Sequence, residues 1–181
     1  MLLVAGCATP QWNTGFPEVH LQKPKSGALV IGVAQAEDSR ASQVIGMRGR
    51  AELLAGPELG NYIERKFRNG LTDWGFDPVE ALDPAKTSVK QPYKVLVVTL
   101  RSARFSWSGM LSGAAESTIG IAVKVYSPAS KLIYSRDFTG NSSARAHMIK
   151  TGVAAGDLVA PAADEAVSSA FADPQFEKAL R

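Results

Sequence analysis

The residue whose type and position most directly indicate chemistry is the only cysteine of the chain, Cys7. It follows an apolar run and two small residues, in the string MLLVAGC over residues 1–7. Enzymes that alkylate such a thiol and cleave the preceding peptide need small side chains there, because the backbone must enter their sites extended. The spacing predicts a lipoprotein with diacylglycerol on the Cys7 sulfur and an acyl chain, such as palmitate, on its nitrogen. Each buried methylene contributes about 0.8 kcal/mol, so two or three chains anchor almost permanently.

Residues 1–6 depart from the pattern of a complete signal peptide, which has a positively charged start and an apolar stretch of about 7–15 residues. We interpret them as the remnant of a lipoprotein signal peptide that begins further upstream. The alternative is a lone cysteine in an unstructured terminus. No run of about 18 apolar residues occurs, so we expect membrane attachment to be covalent or peripheral.

The residue pattern gives little support to catalytic or metal chemistry. The two histidines, His20 and His147, have no histidine four residues away and no nearby cysteine, which predicts no metal site. A triad of Ser135, Asp137 and His147 would lack the Gly-x-Ser-x-Gly turn that exposes a nucleophile. We therefore expect a protein that is not an enzyme and holds no cofactor apart from its covalent lipid.

The segment from Arg101 to Leu111 is the strongest candidate for a partner interface, because arginine and aromatic residues are the usual anchors of protein interfaces. Its candidate residues are Arg101, Arg104, Phe105, Trp107, Met110 and Leu111. The alternation of Phe105 and Trp107 with polar residues is also typical of a core, and we favour core packing for these two. Basic residues between aromatics also suit single-stranded nucleic acid, but a periplasmic address argues against that partner.

Composition indicates one folded domain that positions these residues. Of the 181 residues, 45% are hydrophobic and 20% are charged, which separates the chain from disordered proteins. Its 20 basic and 17 acidic residues nearly balance, so charge alone identifies no partner. Residues 7–27 are rich in proline and polar residues and are predicted to form a tether from the lipidated cysteine; Val19 and Leu21 could instead form an edge strand. Residues 28–181 are predicted to form a single α+β domain.

Helix and strand patterns then define the elements of this domain. A helix is predicted from Pro57 to Trp74, with an apolar stripe at intervals of three or four residues and Gly75 as its left-handed cap. Strands are predicted over 28–33, 44–47, 93–107, 119–125 and 131–139, with a stub at 77–79. A second helix is predicted over 158–171, followed by a short one that Asp173 and Pro174 initiate. The order β-β-α-β-β-β-α predicts a mainly antiparallel sheet with two main helices on one face.

These residues resemble the YajG-type bacterial lipoproteins over almost the whole chain. The matching segments are VAGC at 4–7, YIERKF at 62–67, WGF at 74–76, the strands at 95–100 and 119–125, and DPQF at 173–176. The resemblance implies a lipoprotein of Gram-negative bacteria with no established enzymatic activity. Ala8 stands where an aspartate typically retains lipoproteins in the inner membrane. The resemblance therefore implies the periplasmic face of the outer membrane.

Two functions fit these expectations. The first is a non-enzymatic binding or scaffold lipoprotein of the cell envelope that contacts the membrane through its lipid and presents its domain to an envelope protein or to peptidoglycan. The second is an accessory lipoprotein of lipid or lipopolysaccharide transport. An enclosed apolar cavity would favour the second, and a filled core with an aromatic and arginine patch would favour the first. The sequence leaves the oligomeric state open.

Overall fold

The computed structural model describes residues 11–48, 50–87, 89–108, 112–147 and 152–181. Cys7, Met110 and Leu111 lie outside the described residues. The elements are β1 (Gln11–Asn13), β2 (Leu29–Ala34), β3 (Glu37–Asp38), β4 (Val44–Arg48), β5 (Ala51–Leu54), α1 (Pro57–Asp73), β6 (Phe76–Ala81), β7 (Lys94–Ser108), β8 (Ser112–Tyr126), β9 (Leu132–His147), α2 (Gly152–Phe171) and α3 (Pro174–Leu180). The predicted α+β class is confirmed. None of the described helices is both long and apolar enough to span a bilayer.

The main sheet has the strand order β6-β2-β7-β8-β9, and β3 pairs with β7 beyond the end of β2. The predicted meander of β7, β8 and β9 is confirmed, because both of these pairings are antiparallel. β2 is parallel to β6 on one side and to β7 on the other. The predicted strand stub at 77–79 is therefore a full edge strand, and its Pro78 fits that place because an edge strand can spare an N–H group.

Helix α1 has the predicted start, stripe and end. Pro57 occupies the first turn, and Leu59, Ile63, Phe67 and Leu71 are fully buried. Gly75 has φ +86, which is the left-handed conformation that a residue without Cβ adopts at little cost. The chain can therefore reverse at Gly75 and enter β6 directly.

The helices cover one face of the main sheet, and their apolar side chains meet those of the strands in one core. Its largest fully buried side chains are Phe67, Phe76, Phe176, Leu53, Leu59, Ile63, Leu71, Leu96, Leu100, Ile119 and Ile121. Around the end of α1 the core is aromatic: Phe171 lies 4.8 Å from Trp74 and 5.5 Å from Phe67 between ring centroids. We call this region, with Phe176 and Tyr134, the aromatic end.

Helix α2 begins at Gly152, six residues before its predicted start, and contains Pro161. The glycines and the proline lower the local helix propensity, so the apolar pattern alone placed the start at residue 158. Buried alanines along α2, including Ala162 and Ala166, bring it close to β9. At Gly140 of β9 the two backbones nearly touch, because a Cβ there would overlap the carbonyl oxygen of Ala162.

Strand β9 extends to His147, eight residues past the predicted end at Thr139. The added residues are mostly small and polar, so they show no apolar alternation. They are ordered by backbone pairing with the equally small residues of β8, from Ser112 opposite His147 to Gly120 opposite Thr139. Polar side chains also pair between the strands, since the hydroxyl oxygens of Ser117 and Ser142 are 2.9 Å apart.

A second, three-stranded sheet in the order β1-β5-β4 includes two strands that sequence analysis did not predict. β5 has only four residues, and β1 has three within the predicted tether. The Thr14 side chain is buried, and its hydroxyl donates to the carbonyl oxygen of Leu54 at 2.7 Å. The tether expected over residues 7–27 is therefore packed against the domain from Gln11 onward.

Candidate functional site

The predicted interface segment does not form one continuous patch among the described residues. Arg101 and Arg104 are exposed, whereas Phe105 is only 4% exposed and belongs to the core. Trp107 is partly buried and packs against the same core. Because neighbouring side chains of a strand point to opposite faces, Arg104 lies on the face away from the helices and Phe105 on the face toward them. Binding at this segment stays a prediction.

The small sheet lies alongside the last part of β7. The Ser39 N–H donates to the carbonyl oxygen of Leu100, and further along both segments Gly46 lies directly against the carbonyl of Phe105. β4 therefore follows β7 toward its end, and the turn between β4 and β5 is directed toward the same end of the molecule as Ser108. We define the hairpin end as residues 44–48, 50–54, 101–108, 112–120 and 140–147.

Five arginines and two glutamates belong to this hairpin end. They are Arg48, Arg50, Arg101, Arg104, Arg145, Glu52 and Glu116. Arg50, Arg104 and Arg145 have exposed side chains, and Arg145 lies opposite Ala114, which in turn pairs with Ser108. Met47, beside the β4–β5 turn, is 54% exposed. The hairpin end therefore presents positive charge together with an exposed apolar side chain.

The amino-terminal segment enters the fold at this same end. β1 is parallel to β5, with Gln11 opposite Glu52, and the Gln11 side-chain amide donates to the Glu52 carboxylate at 3.1 Å. The chain then passes over α1: Phe16 packs on Tyr62 with ring centroids 5.6 Å apart. Asn69 holds the segment further along, since its amide bonds to the carbonyl of His20 and accepts from the Gln22 N–H.

An open groove of about 620 Å³ lies beside α1 at the carboxyl ends of β2 and β6. Its buried charges serve the fold, because Arg68 donates to Glu64 at 3.0 Å and to the carbonyls of Pro78 and Val33. The residues left for a ligand include Arg65, which is exposed, and Leu21 and Leu82, which are 56% and 57% exposed. The groove is therefore partly polar and partly apolar, with no enclosed apolar interior among the described residues.

Tyr62, Asp164 and Lys66 connect α1 to α2 beside a second open groove of about 520 Å³. The Tyr62 hydroxyl donates to Asp164 at 2.8 Å, and the Lys66 ammonium lies 2.9 Å from the same carboxylate oxygen. Burial and, second, the hydrogen bond to Asp164 raise the pKa of Tyr62 well above its ordinary value. The phenol therefore stays protonated and acts as a structural donor.

Asp173 forms a similar connection at the aromatic end. It caps α3 by accepting from the Gln175 N–H at 3.0 Å, and it also accepts from the Tyr134 hydroxyl at 2.7 Å and from Arg136 at 2.9 Å. The hydrogen bonds from Tyr134 and Arg136 hold the pKa of the Asp173 carboxyl below its usual value. The predicted cap at Asp173 is confirmed, and it also attaches α3 to β9.

The weakly supported catalytic triad is excluded by the fold. Ser135, Asp137 and His147 all belong to β9, and Asp137 is ten residues from His147. At about 3.3 Å per residue the two backbone positions are on the order of 33 Å apart. The His20 imidazole is exposed on the amino-terminal segment and lies 3.7 Å from the Glu18 carboxylate. Among the described residues, no group of three or more acidic, histidine or cysteine side chains is arranged to hold a metal ion.

No protein-family model and no curated protein sequence matches the chain. Among solved structures, it is similar to protein XCC0632 of Xanthomonas campestris, assigned to the family DUF330, with 16% identity, a TM-score of 0.49 and coverage of 94% of this chain and 92% of that one. It is also similar to a dodecamer of a PelC variant from Paraburkholderia phytofirmans, with 13% identity, a TM-score of 0.49 and coverage of 88% and 94%. Lipoprotein GNA1162 of Neisseria meningitidis is a third, with 10% identity, a TM-score of 0.44 and coverage of 64% and 84%.

Met47, Arg50 and Arg145 are not among the candidate residues predicted from the sequence. Arg50 and Arg145 are separated from Arg104 along the chain, and the pairing of β7, β8 and β9 and the packing of β4 on β7 place them at the same end of the domain. A signal was present in the string MRGR at 47–50, which combines an apolar residue, two arginines and a glycine.

Proposed function

We propose that the chain is a lipid-anchored lipoprotein of the YajG type that acts as a non-enzymatic binding or scaffold module on the periplasmic face of the outer membrane. The observation that carries this proposal is the VAGC string at 4–7, placed four residues before the first described strand at Gln11. A folded domain that begins directly after a lipidation motif needs no further element to be held at a membrane.

The way the polar groups are used supports a non-enzymatic role. The buried or partly buried charges bind elements of the fold to each other: Arg68 joins α1 to β2 and β6, Asp164 joins α2 to α1, and Asp173 joins α3 to β9. Perturbed pKa values at an active site normally belong to groups facing a cleft. Here burial raises the pKa of Tyr62, and the hydrogen bonds that also shift the pKa values of Tyr62 and Asp173 join elements of the fold.

The packing of the domain supports the scaffold function over lipid transport. A carrier of acyl chains needs an apolar cavity between its helices and sheet. In the described part of the chain, Phe67, Leu71, Leu96 and Ile121 are fully buried between these layers. The domain therefore offers its surface, rather than its interior, to an envelope protein or to peptidoglycan.

The anchor is tested by replacing the thiol in cells. Cys7→Ser should move the protein from washed membranes to the soluble periplasmic fraction, because no acyl chain can attach. Ala8→Ser is the matched control, since it adds the same hydroxyl one residue later and retains the thiol. If Cys7→Ser stays with the membranes to the same extent as Ala8→Ser, the lipoprotein proposal fails.

The membrane address is tested at the neighbouring residue. Because an aspartate after the lipidated cysteine typically retains lipoproteins in the inner membrane, Ala8→Asp should shift the protein from outer to inner membrane in a density gradient. Ala8→Asn is the control of equal size and should leave it in the outer membrane. An unchanged distribution of Ala8→Asp would contradict the proposed address.

A further inference from the structure

The register of β1 determines which end of the domain the anchor holds. Gln11, where the described part of the chain begins, lies opposite Glu52 in a parallel pairing, so the start of β1 is on the side of Ala51 and of the end of β4. Cys7 is four residues earlier. A chain spans at most about 3.6 Å per residue, so the Cα of Cys7 lies within about 15 Å of that of Gln11 whatever its conformation.

This reach is short compared with the length of the domain. β9 has 16 residues, which at about 3.3 Å per residue makes its two ends on the order of 50 Å apart. Leu132, at the start of β9, is at the opposite end of the strand from Arg145 and His147. An anchor on Cys7 therefore keeps the hairpin end, and not the Leu132 end, at the membrane surface.

The side chains at the hairpin end have the chemistry that suits such a surface. Its arginines outnumber its glutamates by five to two, and one of those glutamates, Glu52, accepts a hydrogen bond from Gln11. Exposed Asp157 on the neighbouring α2 adds one further negative charge. Arginines near a bilayer are attracted to anionic headgroups, and an exposed apolar side chain between them can enter the headgroup boundary. Met47 is such a side chain.

We propose that the hairpin end is a membrane-contacting surface, on which Arg50, Arg104 and Arg145 bind anionic phospholipid headgroups and Met47 inserts between them. This inference rests on the lipid anchor of the proposed function. It assigns the arginines of the predicted interface segment to lipid rather than to a protein. The surface away from this end is then free for an envelope partner.

The contact is tested with the full chain attached to vesicles. Because Cys7 is the only cysteine, a maleimide phospholipid couples the protein to vesicles of phosphatidylglycerol and phosphatidylethanolamine at that one place. A photoreactive amino acid replaces either Met47 or Leu132, which are similarly exposed at 54% and 45%. Position 47 should give at least about tenfold more lipid adduct than position 132. Equal labelling at the two positions, or predominant labelling between protein chains, would overturn the proposal.

The charge contribution is tested with the untethered Cys7→Ser chain. Each arginine removed from an anionic surface should weaken vesicle binding by about fivefold, so Arg50→Gln with Arg104→Gln should weaken it on the order of 25-fold. Lys131→Gln, at the opposite end, is the control and should have little effect. Thermal unfolding of each variant shows that the fold is retained. Equal losses for the two ends, or equal binding to neutral phosphatidylcholine vesicles, would overturn the assignment.

The two proposals fail in distinguishable ways. The maleimide lipid replaces cellular acylation, so the labelling at position 47 does not depend on whether cells lipidate Cys7. A soluble fraction that contains unmodified wild-type protein would contradict the anchor while leaving the vesicle result valid. Labelling at position 132 in a protein that cells do lipidate would contradict the orientation alone.

Discussion

The aromatic end and the hairpin end of this domain are held together by different means. At the aromatic end, large rings fill the core: Phe176 lies 5.6 Å from both Tyr134 and Phe171 between centroids. At the hairpin end, small residues such as Ala115 are buried, and backbones approach closely, as Gly46 does on Phe105. The surface of the hairpin end carries Met47 and three exposed arginines, Arg50, Arg104 and Arg145. We expect the aromatic end to supply stability and the hairpin end to supply the contact surface.

The largest expected effect on the free energy of unfolding comes from removing a buried ring at the aromatic end. Phe67→Ala should lower the free energy of unfolding by about 3–5 kcal/mol, because a fully buried ring leaves a cavity among packed neighbours. Met47→Ala at the hairpin end should change it by less than about 0.5 kcal/mol, since the side chain is exposed. Urea unfolding of both variants measures the two values. Similar losses of unfolding free energy in the two variants would contradict the expectation that the aromatic end supplies the stability.

Replacing Gly140, where β9 packs closely on α2, is expected to lower the free energy of unfolding by less than Phe67→Ala does. Gly140→Ala should cost about 1–3 kcal/mol, because its Cβ would overlap the backbone of α2 at Ala162 and Ala166. Gly120→Ala on the adjacent strand is the control: its Cβ would clash with the Ser102 hydroxyl, which can rotate away. Thermal unfolding compares them. A loss at Gly120 as large as that at Gly140 would contradict close helix packing as the cause.

The Asp173 carboxyl group is expected to make the stability of the aromatic end depend on pH. Its pKa in the folded state lies below the ordinary value of 3.8, so its contribution is complete above that value and is lost as the pH falls through the lower folded-state pKa. Asp173→Asn should lower Tm at neutral pH, while the asparagine can still cap α3. The Tm difference between wild type and variant should shrink below about pH 4. A difference that stays constant from neutral to acidic pH would contradict the role of the ionised carboxylate.

A smaller effect than at Gly140 is expected at the half-exposed ion pair between the helices. Lys66→Gln should cost less than about 1 kcal/mol, because solvent screens the pair and Asp164 retains the Tyr62 hydroxyl. Since salt weakens exposed ion pairs, the difference from wild type should decrease further in about 1 M salt, where the screening length is about 3 Å. A loss comparable to that of Gly140→Ala would show that the pair is more buried than the structure indicates.

The elements predicted correctly from sequence are those whose own residues carry the information. α1 combines Pro57, an apolar stripe of buried side chains and Gly75, and β7 contains a continuous buried run from Val95 to Leu100. Such local patterns predict an element without knowledge of the strands and helices that pack against it. The meander of β7, β8 and β9 could be predicted because large apolar residues alternate with small or polar residues in β8 from Ile119 to Val125.

The elements that were missed depend on a partner. β5 is too short to show a period, β1 is ordered by pairing with β5, and the second half of β9 has polar residues that pair with β8. The same reason applies to the candidate site. Lipidation of Cys7 is predicted from its immediate neighbours and stays a prediction, whereas the grouping of Arg50 and Met47 with Arg104 arises from the placement of separate strands.

Lipidation of Cys7 is tested by the intact mass of the protein purified from the membranes of its native host. If Cys7 is lipidated, the chain should begin at Cys7 and carry the added mass of two or three acyl chains, with the lipid located on the amino-terminal peptide. A chain that begins at or before Met1 and carries an unmodified thiol at Cys7 would contradict it.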